Sequence, residues 1–371
     1  MSLSPKPILL VGNAVSAKTV QELTDSGRFE VLDASSIGKF GSDEPFVELM
    51  KGKEDDFAAN LNKLKGAKAY ILQSTAEPVS DNTMHLLLMA HTLKQYGAAE
   101  VTALVPFTAF MRQDRSFKNR FTSVAADMFA KQLKAAGVDR IATVTPHSKG
   151  GMQLYQHVFG EDFIPVPATD VFAEDIKRRF TAHTASLSIG APDGADKAQD
   201  EGQNRARELA KAVFGHADDS AMFRIAKTHT GVSDTKIVSF DGDVKDKDCV
   251  IVDDMIDGGS TMVNAASLLK AHGAKSVTCY ATHGILTGNA LEKILLAKPD
   301  GMNPAIDKLI ITDSIPDAQK KLDALLAKQP SLKGRVEILP VGNAMLKELD
   351  IQALTAAPAV QRRRRFNGPA Q

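Results

Sequence analysis

The stretch from Asp253 to Thr261, reading DDMIDGGST, gathers the residue types that hold a sugar phosphate. It follows the apolar run Cys249-Val250-Ile251-Val252 and precedes Met262, Ala265, Ala266 and Leu269 at helical spacing. The order is therefore strand, acidic glycine-bearing loop, helix. A helix start offers free N–H groups and the positive end of a dipole. Gly258 and Gly259 let the backbone approach a ligand, and Ser260 and Thr261 add hydroxyl donors. A phosphate fits such a place. The carboxylates of Asp253 and Asp254 would repel a bare anion but suit ribose hydroxyls or a cation-bound substrate, and Asp257 adds a third acid. The loop reads as a grip for a sugar phosphate. An acidic, well-capped helix start without a ligand is the plain alternative, and the double acid ahead of the glycines argues against it.

The common nucleotide signatures GxxxxGK[ST] and GxGxxG after a strand do not occur, so any nucleotide site is assembled from separate segments. Lys+Arg and Asp+Glu balance at 45 each, which gives no global bias toward nucleic acid or membrane. The opening MSLSPKPILLVGNAV carries one lysine and a short aliphatic run, which predicts neither a signal peptide nor a transmembrane helix and points to a cytoplasmic protein. Cys249 and Cys279 lie in strand-like apolar runs and read as free buried thiols. The run Arg362 to Arg365, between Pro358 and Pro369, reads as part of a solvated, disordered tail.

The elements that must carry these residues alternate between strand and helix from the start. In the first half, strands are expected at 8–11, 29–32, 69–73, 101–107 and 141–145. Helices are expected at 15–26, at 81–96 with Met84, Leu87, Leu88 and His91 on one face, and from about residue 122 with Ala125, Met128, Phe129 and Leu133 inside. Residues 160–168, with Pro165 and Pro167, read as a crossing between domains. In the second half, strands are expected at 186–190, 222–226, 236–240, 309–312 and 336–339, and helices at 205–214, 289–296, 317–328 and 341–353.

The junctions LKQYGA, LKAAGV and LKAHGA at residues 93–98, 133–138 and 269–274 echo one another, each a helix end, a glycine cap and a strand start. Either the halves are related, or one good capping sequence is reused. The expected organisation is a domain at 1–166, a second at 167–355 and a tail at 356–371.

With these residues in view, the chain resembles the ribose-phosphate pyrophosphokinase, or phosphoribosyl pyrophosphate synthetase, family. The resemblance rests on DDMIDGGST after CVIV, on ATHGILTGNALEKI downstream, on Ile71 to Thr75 with Pro78-Val79, on Arg112-Gln113-Asp114-Arg115, on Thr312-Asp313-Ser314-Ile315 and on Leu339-Pro340-Val341-Gly342. It implies two similar phosphoribosyltransferase-like (type I) α/β domains, each a mainly parallel sheet flanked by helices. The reaction it implies is attack of the anomeric hydroxyl of ribose 5-phosphate on the β-phosphorus of ATP, giving phosphoribosyl pyrophosphate and AMP. Such chemistry asks for in-line positioning and charge neutralisation rather than a protein nucleophile. Magnesium is the implied metal, and a homo-oligomer with sites between subunits the implied assembly. Neither a membrane nor nucleic acid is an expected partner.

By that resemblance Asp257, Gly258, Gly259, Ser260 and Thr261 grip the 5-phosphate and Asp253 and Asp254 bind the ribose hydroxyls. Lys227 falls on the catalytic lysine, and His229 stands where the family has a second basic residue. His147 and Asp193 fall on the metal-binding pair, although Thr145-Pro146 replaces the usual acidic residue ahead of the histidine. Arg112, Gln113 and Asp114 match the ATP-binding loop. Phe40 and Glu44 fall on the adenine-binding run, where Ser42 replaces an aspartate. After Asp193, Gly194 to Gly202 replaces a short pyrophosphate-cradling turn with an acidic insertion, which is either a lid, a regulatory loop or an obstruction. A non-catalytic, synthetase-associated regulatory subunit is the alternative, favoured by His229 and the insertion. A salvage phosphoribosyltransferase would share DDMIDGGST but leave Arg112 to Arg115 unexplained.

Overall fold

The computed structural model describes residues 6–32, 36–49, 54–116, 121–181, 186–194, 201–216, 221–229 and 235–355. The first half runs β1 (Ile8–Val11), α1 (Ala17–Asp25), β2 (Glu30–Leu32), β3 (Ser36–Lys39), β4 (Pro45–Glu48), α2 (Glu54–Leu64), β5 (Lys68–Leu72), α3 (Val79–Gln95), β6 (Glu100–Val105), α4 (Ala125–Ala135), β7 (Arg140–Val144), α5 (Lys149–Phe159) and β8 (Phe163–Val166). Then follow α6 (Thr169–Arg179), β9 (Leu187–Gly194), α7 (Glu201–Phe214), β10 (Met222–His229), β11 (Thr235–Asp241), β12 (Asp248–Ile256), α8 (Ser260–Ala271), β13 (Ser276–Gly284), α9 (Ala290–Leu296), β14 (Lys308–Thr312), α10 (Asp317–Lys328), β15 (Val336–Leu339) and α11 (Gly342–Thr355).

Two sheets result. One has the order β2-β1-β5-β6-β7-β8 and is parallel throughout. The other has the order β11-β10-β9-β12-β13-β14-β15 and is parallel except at the β10/β11 edge. Parallel strands covered on both faces are apolar on both, and the side-chain period of two sorts them. Ile8, Leu10, Ile71 and Ala103 join an outer core with α3 and α4, whereas Leu9, Leu72 and Leu104 join a core shared with the second sheet. Val250, Val252 and Tyr280 enter that shared core from β12 and β13, and Cys249, Ile251 and Cys279 enter the outer core of the second sheet. Both cysteines are free and buried.

Several expectations change. The buried face of α3 is Thr83, Leu86, Met89, Ala90 and Leu93, while Met84 is 43% exposed and His91 is exposed. The apolar residues of the helix are spread around it among polar ones, so its period does not choose a face; polar Asn82 and His85 go inward because Ala76 O and Gly38 O accept their protons. Met128 of α4 is likewise 48% exposed. Residues 160–168 are not a bare crossing, since β8 pairs with β7 there and completes the first sheet. Strand β12 continues through Asp253 and Asp254 to Ile256, because its pairing with β13 runs on to Gly284. The acids thus stand on a strand end, and the loop shrinks to Asp257 to Gly259. α7 opens at Glu201, within the acidic insertion, where an acid suits the dipole of a first turn. No described helix is long and apolar enough to cross a membrane. Arg362 to Arg365 and the rest of 356–371 lie outside the described residues.

Candidate functional site

In open parallel sheets ligands bind beyond the carboxyl ends of the strands, and the candidate residues collect there. Asp253 and Asp254 end β12; His147 follows β7 on the short turn Thr145-Pro146-His147. His147 Nδ1 lies 2.6 Å from Asp254 Oδ2. Arg205 of α7 faces both acids, at 3.4 Å from Asp253 Oδ1 and 3.5 Å from Asp254 Oδ1, and the Asp254 N–H donates to Asp253 Oδ1 at 2.9 Å. Burial works against the Asp254 carboxylate, but the His147 bond and the Arg205 charge outweigh it and hold its pKa well below the usual range. Burial pulls the His147 pKa down, and the bond to Asp254 more than offsets this, so it ends above its ordinary value. The pair joins the two halves of the chain.

The second junction is at the phosphate loop. Gly259 caps α8 with φ +78°, and no side chain caps that helix start. Asp257 accepts from Thr287 Oγ1 at 2.6 Å and from Arg112 Nη1 at 2.8 Å. Burial raises the pKa of Asp257, and the bonds to Thr287 and Arg112 bring it below the ordinary value. Lys293 of α9 donates to Ser260 Oγ at 2.5 Å. Gly258 is exposed, and Thr261 lies in the first turn of α8. Arg112 therefore bridges the segment expected to bind ATP to the segment expected to bind the sugar phosphate.

The three residues of the Arg112 loop differ. Arg112 and Gln113 are exposed. Asp114 turns inward: it accepts from Ser148 Oγ at 2.6 Å and pairs with Arg115 at 2.8 Å. Ser148 Oγ also accepts the Gly151 N–H at 3.0 Å, capping α5. Asp114 is thereby tied to the helix that follows His147. A cavity of about 110 Å³ opens between Arg112, Gln113, Pro146, His147, Met255 and His283. A larger one, about 450 Å³, lies beside His147, Lys149, Phe172, Glu201 and Arg205.

Phe40 and Glu44 border neither cavity. They flank the turn of the β3/β4 hairpin, where the Phe40 N–H donates to Glu44 O at 2.9 Å and Ser42 Oγ donates to Glu44 Oε2 at 2.8 Å. Phe40 is 59% exposed against Phe46. The hairpin is anchored on α3, through His85 and through Lys39 to Asp81.

Lys227 and His229 lie on β10, and Asp193 lies opposite Ala226 at the end of β9, with a register shift between Ala226 and Lys227. Their side chains, and residues 195–200 of the insertion, lie outside the described part. The end of the insertion is described, and Glu201 accepts the Lys149 N–H at 3.1 Å in the first turn of α5. The sequence reading missed Arg205, Thr287 and Lys293. Thr287 and Lys293 lie in the downstream stretch ILTGNALEKI, where the spacing of a threonine and a lysine gave no sign that they would fold back on the loop.

A sequence profile described as the N-terminal domain of ribose phosphate pyrophosphokinase matches residues 31–137, and one described as a phosphoribosyl synthetase-associated domain matches residues 178–330. The ribose-phosphate pyrophosphokinase of Marinomonas sp. is 33% identical over 298 residues, covering 80% of this chain and 84% of that protein. That of Chromobacterium violaceum is 35% identical over 286 residues, covering 77% and 76%. The crystal structure of phosphoribosylpyrophosphate synthetase from Mycobacterium smegmatis superposes with a TM-score of 0.71 at 24% identity, over 94% of this chain and 99% of that one, which shows the same two-sheet fold. Relatives of this identity and coverage carry the enzyme's name, which favours catalysis over the regulatory alternative. The chain belongs to the ribose-phosphate pyrophosphokinase family, and is a transferase of the kind that makes phosphoribosyl pyrophosphate.

Proposed function

We propose that the chain transfers the β,γ-pyrophosphoryl group of ATP to the anomeric hydroxyl of ribose 5-phosphate, with donor and acceptor meeting between the Arg112/His147 side and the Asp253 to Thr261 side. The observation that carries this reading is the double bridge of His147 to Asp254 and Arg112 to Asp257, which brings first-half and second-half segments within hydrogen-bond distance. In the acceptor half, the uncapped start of α8, Ser260 and Thr261 receive the 5-phosphate, with Gly258 and Gly259 allowing close approach. Asp253 and Asp254 hold the ribose hydroxyls. In the donor half, Arg112 leaves Asp257 for the phosphates of ATP, to which a planar guanidinium is suited, and Gln113 reads the base with Phe40 and Glu44 of a second copy, since those two border neither cavity of their own chain. Asp114 acts from behind, holding that loop on Ser148. Lys227, with His229 two positions on in β10, is assigned to stabilise the charge that builds on the transferred group.

The family's reaction needs a metal ion, and we assign magnesium, held by His147 and Asp193. Among the described residues no group of three or more His, Cys, Asp or Glu forms a ready cage. Magnesium keeps several waters and takes only one or two protein ligands beside substrate phosphates. Its part is to neutralise phosphate charge; the residues named above bind and orient. The domain limits 1–166 and 167–355, a cytoplasmic location and a homo-oligomer with sites shared between subunits belong to the same proposal.

The test is direct. Purified protein given ATP, ribose 5-phosphate and magnesium is expected to release AMP and phosphoribosyl pyrophosphate in equal amounts. Folded protein that binds ATP yet forms neither product would sink the reading.

A further inference from the structure

His283 is buried at the end of β13, and no step above uses it. Its Nε2 lies 3.1 Å from the carbonyl oxygen of Thr145, and its Nδ1 lies 2.9 Å from Ser314 Oγ. Thr145 opens the turn that carries His147, and its φ is +37°, a region a β-branched residue rarely occupies. Its surroundings hold it there: its N–H donates to Val166 O at 2.8 Å, its Oγ1 accepts from Ala168 N at 3.2 Å, and Thr282 Oγ1 approaches to 3.2 Å. Behind His283, Thr312 Oγ1 donates to Thr282 O at 2.7 Å and Ser74 Oγ donates to Ser314 O at 3.0 Å. The Phe107 ring closes the space edge-on, 5.0 Å away. Burial pushes the imidazole pKa down to about 4, so the ring is neutral. In a neutral ring the nitrogen that faces a carbonyl carries the proton, so Nε2–H donates to Thr145 O, and Nδ1 accepts from Ser314, whose Oγ also lies 3.1 Å from Thr282 O.

We propose that His283 is a positioning residue for the reaction: by gripping the Thr145 carbonyl it fixes the Thr145-Pro146-His147 turn, from which His147 reaches Asp254. The inference rests on the reading that His147 belongs to the reaction centre. A histidine that merely fills space would affect stability alone. One that acts through His147 must lose its influence once His147 is gone.

The test is a double-mutant cycle of His147→Ala and His283→Leu, with His283→Gln and His283→Asn as conservative variants. kcat, the KM of each substrate, half-saturating magnesium and Tm are measured. His283→Leu is expected to lower kcat or raise half-saturating magnesium by about tenfold or more, as losing the support behind a ligand does. The KM for ribose 5-phosphate should stay within about threefold, and in the His147→Ala background the same change should add less than about threefold. The glutamine amide can reach where Nε2 stands, so His283→Gln should recover most of the rate, whereas the shorter asparagine should not. In ligand-free protein the His147 ring signals in NMR should move with leucine and asparagine and hold with glutamine. Additive losses, or equal rates for the glutamine and asparagine variants, overturn the inference. A His147→Ala enzyme as active as wild type overturns instead the reading beneath it. Should the leucine variant fail to fold, the glutamine and asparagine pair decides alone.

Discussion

At Gly259 the backbone φ is +78°, and an added Cβ would stand 2.8 Å from Ile294 Cγ1 and 3.0 Å from its Cδ1. At Gly258 φ is not positive, and nothing lies within 4 Å of an added Cβ. The fold therefore asks for glycine at the first position only. If the 5-phosphate settles on the start of α8, the ligand asks for it at the second, because a methyl there enters the space through which the phosphate comes. Gly259→Ala is expected to cost about 2 kcal/mol or more of stability, from the left-handed backbone and the collision together. Gly258→Ala should change stability by less than about 0.5 kcal/mol while raising the KM for ribose 5-phosphate. Thermal unfolding and steady-state kinetics of the two variants separate the effects. Unchanged affinity in Gly258→Ala would mean that the phosphate does not approach that backbone.

Among the elements, α3 shows what decides a buried face. Its sequence carries Leu86, Leu87, Leu88 and Met89 in succession, which offers a sheet several possible stripes. The stripe on Leu86, Met89 and Leu93 wins because Asn82 and His85 find backbone carbonyls on that side. Leu86→Ala should then cost about 2–5 kcal/mol, and Met84→Ala less than about 0.5 kcal/mol, measured by denaturant unfolding. Comparable losses at both would place the core on the wrong face. The same logic separates what was legible in the chain from what was not. β12, its loop and α8 could be read directly, because acids, glycines and hydroxyls follow one another locally. His147 and Arg112 could be placed only by resemblance, since their partners lie 107 and 145 residues away. Arg205, Lys293 and His283 were not legible at all: an arginine, a lysine or a strand-end histidine acquires its role from the element that folds against it. The β3/β4 hairpin escaped for another reason, its strands being short, and α2 because polar residues crowd its few apolar ones.

On the scale of the whole molecule, side chains from both sheets meet in one buried cluster. Leu9, Leu72 and Leu104 of one sheet and Val250, Val252 and Tyr280 of the other share a single core, which α6 enters with Phe172, Ala173 and Ile176. An ionic cluster around buried Asp175 ties α6 to the second sheet. Asp175 accepts from Tyr280 Oη at 2.8 Å and from Arg179 Nε at 2.6 Å, Arg178 also pairs with it, and both arginines reach Glu337 of β15. Burial raises the pKa of Asp175, but the Arg179 and Tyr280 bonds bring it below the ordinary carboxylate value. A depressed carboxyl pKa means that the stabilisation is present above the unfolded-state value and disappears as pH falls through the folded-state value. Asp175→Asn should therefore cost about 3 kcal/mol near neutrality, and its gap from wild type should close as the pH drops below about 4. Because α6 lies in the shared core, calorimetry should show one cooperative transition that moves as a whole in the variant. Two resolved transitions of which only one moves would show that the sheets unfold separately, and that residue 166 divides independent units rather than two layers of one.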